Sequence, residues 1–246
     1  MTTGQTTFKG EFEMAKHRSM YNTEQVLQLA IIVDSQQGFV KSGNGYYDFE
    51  TEKTVHDNKT TINNYLNGID GFDMPEISDS VKQQATEIVE SFRNTLVAKK
   101  LMNTMNSFEE GVLKTISSEQ CDNFGVSILA SLPNSFRVQE KRQGLDDWFS
   151  DMRPKSEFIG KPGERMRFEA LVKDVKFIAK YGIHLVTCVT KEENIVKFFF
   201  SKEPDIVGLL EGRNVILTGK VKQHDVSKFS DCKETVINYV KVEEKG

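Results

Sequence analysis

The stretch Asn194-Ile-Val-Lys-Phe-Phe-Phe-Ser-Lys202 decides how the rest of the chain is read. Three consecutive phenylalanines sit in a strand-like run. Taken with a period of two, Val196, Phe198 and Phe200 fall on one face and Lys197, Phe199 and Ser201 on the other. The first set has the composition of a core. The second places an aromatic ring between a lysine and a hydroxyl, which is what a base-stacking platform beside a phosphate-attracting cation needs. An ordinary sheet covered by a helix shows the same pattern, so this stretch alone leaves burial and binding both open.

Strand patterns surround it. Gly160-Lys-Pro-Gly163 reads as a turn, and residues 166–178 alternate through Phe168, Ala170 and Val172, then Val175 and Phe177. The phase slips between Val172 and Val175, which predicts a bulge or a strong bend. Lys180-Tyr-Gly182 turns the chain into a strand over 183–189, and Glu192-Glu-Asn194 turns it into the phenylalanine strand. Residues 203–211 read as a loop or short helix. Residues 213–223 alternate through Val215, Leu217, Gly219 and Val221. A turn at 228–231 leads into a last strand over 235–242. Five strands, a long bent first one and an interruption between the third and fourth are the plan of an OB-type barrel. A glycine in mid-strand, Gly219, suits a barrel corner or a close backbone approach.

The preceding residues read as helical. Thr23 is placed to cap a helix through Val26, Leu27, Ala30 and Ile31. Asn44-Gly45, flanked by Phe39-Val40 and Tyr46-Tyr47, predicts a hairpin over 38–49. A short helix is expected around Ile62 and Leu66. Ser78 or Asp79 opens the longest helix, with Val81, Ala85, Ile88, Val89, Phe92, Leu96 and Val97 on one stripe. Ser107-Phe-Glu-Glu110 reads as a capping box opening another helix. A further helix is expected from Asp122 to Leu132, stopped by Pro133. Residues 1–20 are polar and mixed and read as an arm or edge strand. The expected class is therefore α+β: a mostly helical, acidic part over 1–153, then a five-stranded OB-type β-barrel over 154–246.

At the junction, Leu145, Trp148, Phe149 and Met152 are spaced i, i+3, i+4, i+7 and share one helical face. They can pack the chain's own parts together or dock a partner protein.

Charge follows the same division. Residues 155–246 hold 17 basic and 14 acidic side chains, a net of +3, within a chain whose net is −4. That permits contact with nucleic acid without demanding it. No run of 18 apolar residues predicts a membrane span, and residues 1–10 lack the apolar core of a secretion signal. Three scattered cysteines, Cys121, Cys188 and Cys232, give neither a disulfide framework nor zinc spacing. A reducing cytoplasm fits this usage. No metal and no cofactor are expected.

The stretch from Gly160 to Val242 resembles a small OB-fold module of phage-encoded proteins. The residues that carry the likeness are Gly160-Lys-Pro-Gly-Glu-Arg165, Lys180-Tyr-Gly182, Val196-Lys-Phe-Phe-Phe-Ser201, Leu217-Thr-Gly-Lys-Val-Lys-Gln-His224 and Tyr239-Val-Lys-Val242. Residues 107–136 look like the helical segment that often precedes this module. The third strand has Phe198 where such modules tend to carry tryptophan, and the cysteine-rich zinc segment of some relatives has no counterpart. The resemblance implies an oligonucleotide- or oligosaccharide-binding fold, and in a phage setting it favours DNA.

On an OB barrel the ligand crosses the second and third strands and the loops beside them. The expected contacts there are Lys180, Tyr181, His184, Lys197 and Phe199. Lys220, Lys222 and His224 follow on the neighbouring strand, with Lys228, Phe229 and Lys233 on the last loop. The phase slip leaves Arg167 and Lys173 undecided. The four histidines sit in no arrangement that supplies a base, metal or nucleophile, so no enzyme is expected. The leading expectation is a DNA-binding protein of replication, recombination or transcription, preferring single strands. The alternative is a regulatory factor docking on host or replication machinery with the barrel as scaffold. A homo-oligomer is compatible with the first, although no coiled-coil repeat announces it.

Overall fold

The computed structural model describes residues 19–244 and divides the chain between Glu140 and Lys141 into two compact units. The sequence boundary at 153/154 marks where helix gives way to strand. The units part earlier, inside a helix.

In the first unit, β1 (Tyr21–Asn22) leads into α1 (Thr23–Gln37), which is buried on nearly every side from Val26 to Asp34. A helix this apolar all round belongs at the centre of a core. Around it pack α2 (Asn58–Leu66), α3 (Asp79–Leu101) and α5 (Asn123–Leu129). Ile62, Ile88 and Leu129 meet Leu27 and Leu29 in one cluster. Each such side chain contributes about 1.5–3 kcal/mol on burial. Asp34, buried at the end of α1, is held by Arg137 at 2.5 Å. Between α3 and α5 come α4 (Ser107–Ile116) and β4 (Gln120–Cys121), which pairs with β1.

Several local expectations shift by a residue or more. Asn22, not Thr23, caps α1, its side chain accepting from the Gln25 N–H. The capping box of α4 is Asn106 with Glu109, one residue earlier than Ser107 with Glu110. Asparagine caps as well as serine does, so adjacent candidates compete. The hairpin lies at β2 (Tyr46–Asp48) and β3 (Lys53–Val55) instead of 38–49. Its turn is made by Asp48, whose carboxylate accepts from Glu50 and Thr51, and not by Asn44-Gly45. Pro133 does not stop a helix. It sits in the first turn of α6 (Leu132–Met152), where its missing N–H leaves no bond unmade. The polar run 134–143 is consequently helical.

The second unit holds the end of α6 and a closed barrel. Its strands are β5 (Arg165–Ile178), β6 (Ile183–Thr190), β7 (Ile195–Phe200), β8 (Asn214–Val226) and β9 (Lys233–Glu244), with a 3-10 turn at Asp205–Val207. Around the barrel they run β5-β6-β7-β9-β8, and β8 pairs back onto β5. Only the β7–β9 pair is parallel. First, second, third, fifth and fourth strands in ring order are the OB-type plan. Val186, Val196, Phe198, Leu217, Val221 and Ile237 fill the interior.

Two devices close the ring. The slip in β5 is a bulge between Val172 and Asp174. Its Val175 N–H is taken by the Glu211 carboxylate, and Lys141 of α6 bridges Glu211 to Asp174. Burial works against charge on Lys141 and Glu211. Their mutual hydrogen bond and the contacts with Asp174 and Val175 outweigh it, holding the ammonium above and the carboxyl below its ordinary range. At Gly219, a Cβ would lie 2.9 Å from Ile237 Cδ1, and the β8–β9 register shifts at this point. The close approach expected of this glycine is what bends the two longest-paired strands.

Candidate nucleic-acid interface

The outer face of β5, β6 and β7 follows from the register. Lys176, Leu185 and Phe199 lie side by side across the three strands. Beyond them on the same face come Ile178, Ile183 and Ser201. Phe199 is 56% exposed, whereas its neighbour Phe198 is fully buried in the barrel. The open half of this face is therefore an apolar strip, half-exposed at Ile178, Ile183 and Leu185, with the Phe199 ring along its β7 side and the exposed Lys176 along its β5 side.

The other half is closed. Met152, Trp148 and Phe149 pack on Ile195, Cys232 and Val189 at the start of β7. The Cys232 thiol donates to Phe149 O at 3.2 Å. The stripe of α6 thus clamps the chain's own barrel, which removes Met152 and much of Trp148 and Phe149 from any partner. Lys197 lies under this clamp. Its ammonium is 2.6 Å from Glu234 and 5.1 Å from the Phe149 ring centre. It neutralises a buried carboxylate and is not available to a phosphate.

The two loops beside β7 reach opposite ends of it. The turn 179–182 adjoins Phe200 through His184, and the loop 227–232 delivers Glu234 beside Ile195. These ends are about 17 Å apart at strand rise. In the first turn Tyr181 is exposed, with the Lys180 ammonium 5.3 Å above its ring. In the second loop Phe229 is fully exposed and Lys228 is exposed beside it. A groove of about 370 Å³ is lined by Phe229 together with Arg142, Asp146, Phe149, Arg153 and Ser230, and the Lys197 already paired with Glu234 borders it.

Of the remaining expected contacts, Lys220 and Lys222 are exposed and make no ion pair with a described residue. Lys220 pairs across the ladder with Arg165, doubling the charge there. His184 belongs elsewhere. It alternates with Val186 and Cys188 toward the barrel interior and meets Phe177 at 5.0 Å at the barrel mouth. His224 and Lys233 hold the strap 156–160. His224 stacks on Phe158 at 4.6 Å, its Nε2 lies 3.2 Å from Ile159 O, and Lys233 pairs with Glu157. Ser156 completes the strap, donating to Lys233 O and accepting from Ile195 N–H.

Sequence reasoning missed Lys176, Arg165, Arg142 and Arg153. The alternation of Val175 and Phe177 after the slip already turns Lys176 outward. Arg142 and Arg153 reach the groove only because α6 is continuous, which Pro133 concealed. Among the described residues no three His, Cys, Asp or Glu side chains gather as a metal site, and no helix is long and apolar enough to cross a membrane. The three cysteines are buried free thiols, and burial pushes the Cys188 thiol up to about 12. No family model, curated protein or solved structure matches the chain.

Proposed function

We propose that this chain binds single-stranded DNA along the outer face of β6 and β7, acting in phage DNA replication, recombination or transcription in the host cytoplasm. The observation that carries the reading is the exposure of Phe199 on the β7 side of an OB-type face, next to Leu185 of β6. A flat ring on that face stacks on an unpaired base, and a duplex has none to offer. Lys176 across the face on β5 and Lys180 in the β5–β6 turn offer charge for the backbone, and Phe229 with Lys228 offers a second ring at the far end of β7. The span fits the short end of the roughly 4–16 nucleotides that an OB fold covers. The phage setting rests on the sequence resemblance.

The test is a fluorescence anisotropy titration with a labelled oligothymidine at low and high salt. Saturable binding that weakens as salt rises is expected, with a slope near −0.7 per phosphate contacted. Absence of binding at low salt sinks the proposal.

The half-exposed Ile178, Ile183 and Leu185 favour a second reading, an apolar protein partner on the same face. Binding there would be little affected by salt, which separates the two.

A further inference from the structure

A different surface, in the first unit, points to a protein partner. Over most of its length α3 buries one stripe, through Ala85, Ile88 and Leu96. Near its C-terminus another face turns outward. Arg93, Val97 and Lys100 form one wall of a groove of about 920 Å³, and Leu113 and Lys114 of α4 form the other. Val97 is 43% exposed, and Leu101, one turn further along the same face, is 84% exposed. Val97 with the half-buried Leu113 and Met105 gives the groove an apolar floor, and Leu101 extends that apolar face just beyond its lining.

The charge around it selects the partner. Arg93, Lys100 and Lys114 make no ion pair with a described residue, and among the described residues Glu110 is the one carboxylate on the lining. The nearby Glu109 is already engaged by Lys99. Residues 1–140 hold 12 basic and 19 acidic side chains, so three unneutralised cations on one groove run against the composition of the unit. Two adjacent helices leave a furrow whose natural filler is a third helix. The wall from Arg93 to Lys100 is about 10 Å long, enough to meet two turns of it.

We infer that the α3–α4 groove receives an amphipathic, acidic helix of a partner protein, with apolar residues at i, i+3, i+4 and i+7 seated over Val97 and Leu113 and carboxylates facing Arg93, Lys100 and Lys114. The probe is a labelled helical peptide of about 16 residues with leucines at those positions and glutamates flanking them, titrated against the intact chain. A matched peptide with lysines for glutamates is the control. The acidic peptide binds, the lysine peptide does not, and the double variant Lys100→Glu, Lys114→Glu weakens binding about tenfold or more. Val97→Asp weakens it too. These positions are exposed, and a neutral Lys100→Gln, Lys114→Gln pair weakens binding in the same direction. That pair sets loss of the groove's charge apart from the small loss of stability that a carboxylate in the last turn of each helix brings, followed by circular dichroism. Oligothymidine affinity stays as in the parent for the groove variants, and Phe199→Ala leaves peptide affinity unaltered, so failure of this inference is distinct from failure of DNA binding. Three results overturn it: no saturable binding of the acidic peptide at low salt, equal binding of both peptides, or indifference to the double variant. Binding to anionic vesicles without peptide binding would overturn it as well.

Discussion

Phe198 and Phe199 are chemically identical neighbours, and the pleat sends one into the core and the other into solvent. Removing each ring therefore tests different things. Phe199→Ala should leave stability almost unchanged and lower oligothymidine affinity by about 1–3 kcal/mol, roughly 5- to 150-fold, as measured by anisotropy. Phe198→Ala should instead destabilise the barrel by about 3–5 kcal/mol in urea unfolding. At Asp57 a single carboxylate sets a pH dependence. Burial opposes its charge, but the Thr60 N–H and hydroxyl, the Gly43 N–H and nearby Lys59 outweigh that and hold its carboxyl below the ordinary range. A depressed folded value stabilises above the unfolded pKa and the gain is lost as pH falls through the folded one. As the cap of α2, Asp57 should cost about 1 kcal/mol when changed to Ala at pH 7. The gap between parent and variant should hold down to about pH 4 and narrow progressively below it as pH falls through the depressed folded value, which urea titrations of both proteins over a series of pH values from about 7 downward would show.

At the scale of elements, the clamp of α6 on β7 rests on a buried ion pair as much as on apolar contact. The Glu234 side chain is 6% exposed and that of Lys197 17%. Glu234→Ala leaves Lys197 without a counter-charge under Phe149, and should cost on the order of 3 kcal/mol. Replacing both, as Lys197→Met with Glu234→Leu, should recover most of that loss in thermal melts. A double variant no better than the single one would refute the account. The same clamp marks the limit of what sequence alone conveys. The barrel was legible because each strand declares its inward face by alternation, and the slip at Val172 even located the bulge. The α6 stripe was legible as a stripe, but its target was not, because i, i+4 spacing says that a face is apolar and nothing about what covers it. The expectation of Lys197 and His224 as nucleic-acid contacts fails for the same reason. Their partners Glu234 and Phe158 lie 37 and 66 residues away, beyond any local pattern. Pro133 shows a further limit, since proline forbids a helix interior and favours a first turn, and only the fold distinguishes the two.

For the molecule as a whole, the parting of the units inside α6 bears on which piece of the chain can act alone. Residues 154–246 contain every strand of the barrel but lack Trp148, Phe149 and Met152, and Lys141 with its ties to Asp174 and Glu211. Three large side chains at about 1.5–3 kcal/mol each are a large share of the roughly 5–15 kcal/mol that holds a domain folded. A fragment of residues 141–246 should melt cooperatively, and one of residues 154–246 should melt at least about 15 °C lower or not fold. The longer fragment also isolates the electrostatics of binding. It carries 20 basic and 17 acidic residues, whereas residues 1–140 carry 12 and 19. Joined to the barrel, the acidic unit adds a repulsive potential to an approaching phosphate chain. Freed of it, residues 141–246 should bind oligothymidine at least as tightly as the full chain at low salt. The two affinities should converge as added salt shortens the screening length to about 3 Å near 1 M. A full chain that binds more tightly at every salt concentration would mean that the first unit contributes contacts of its own to the DNA.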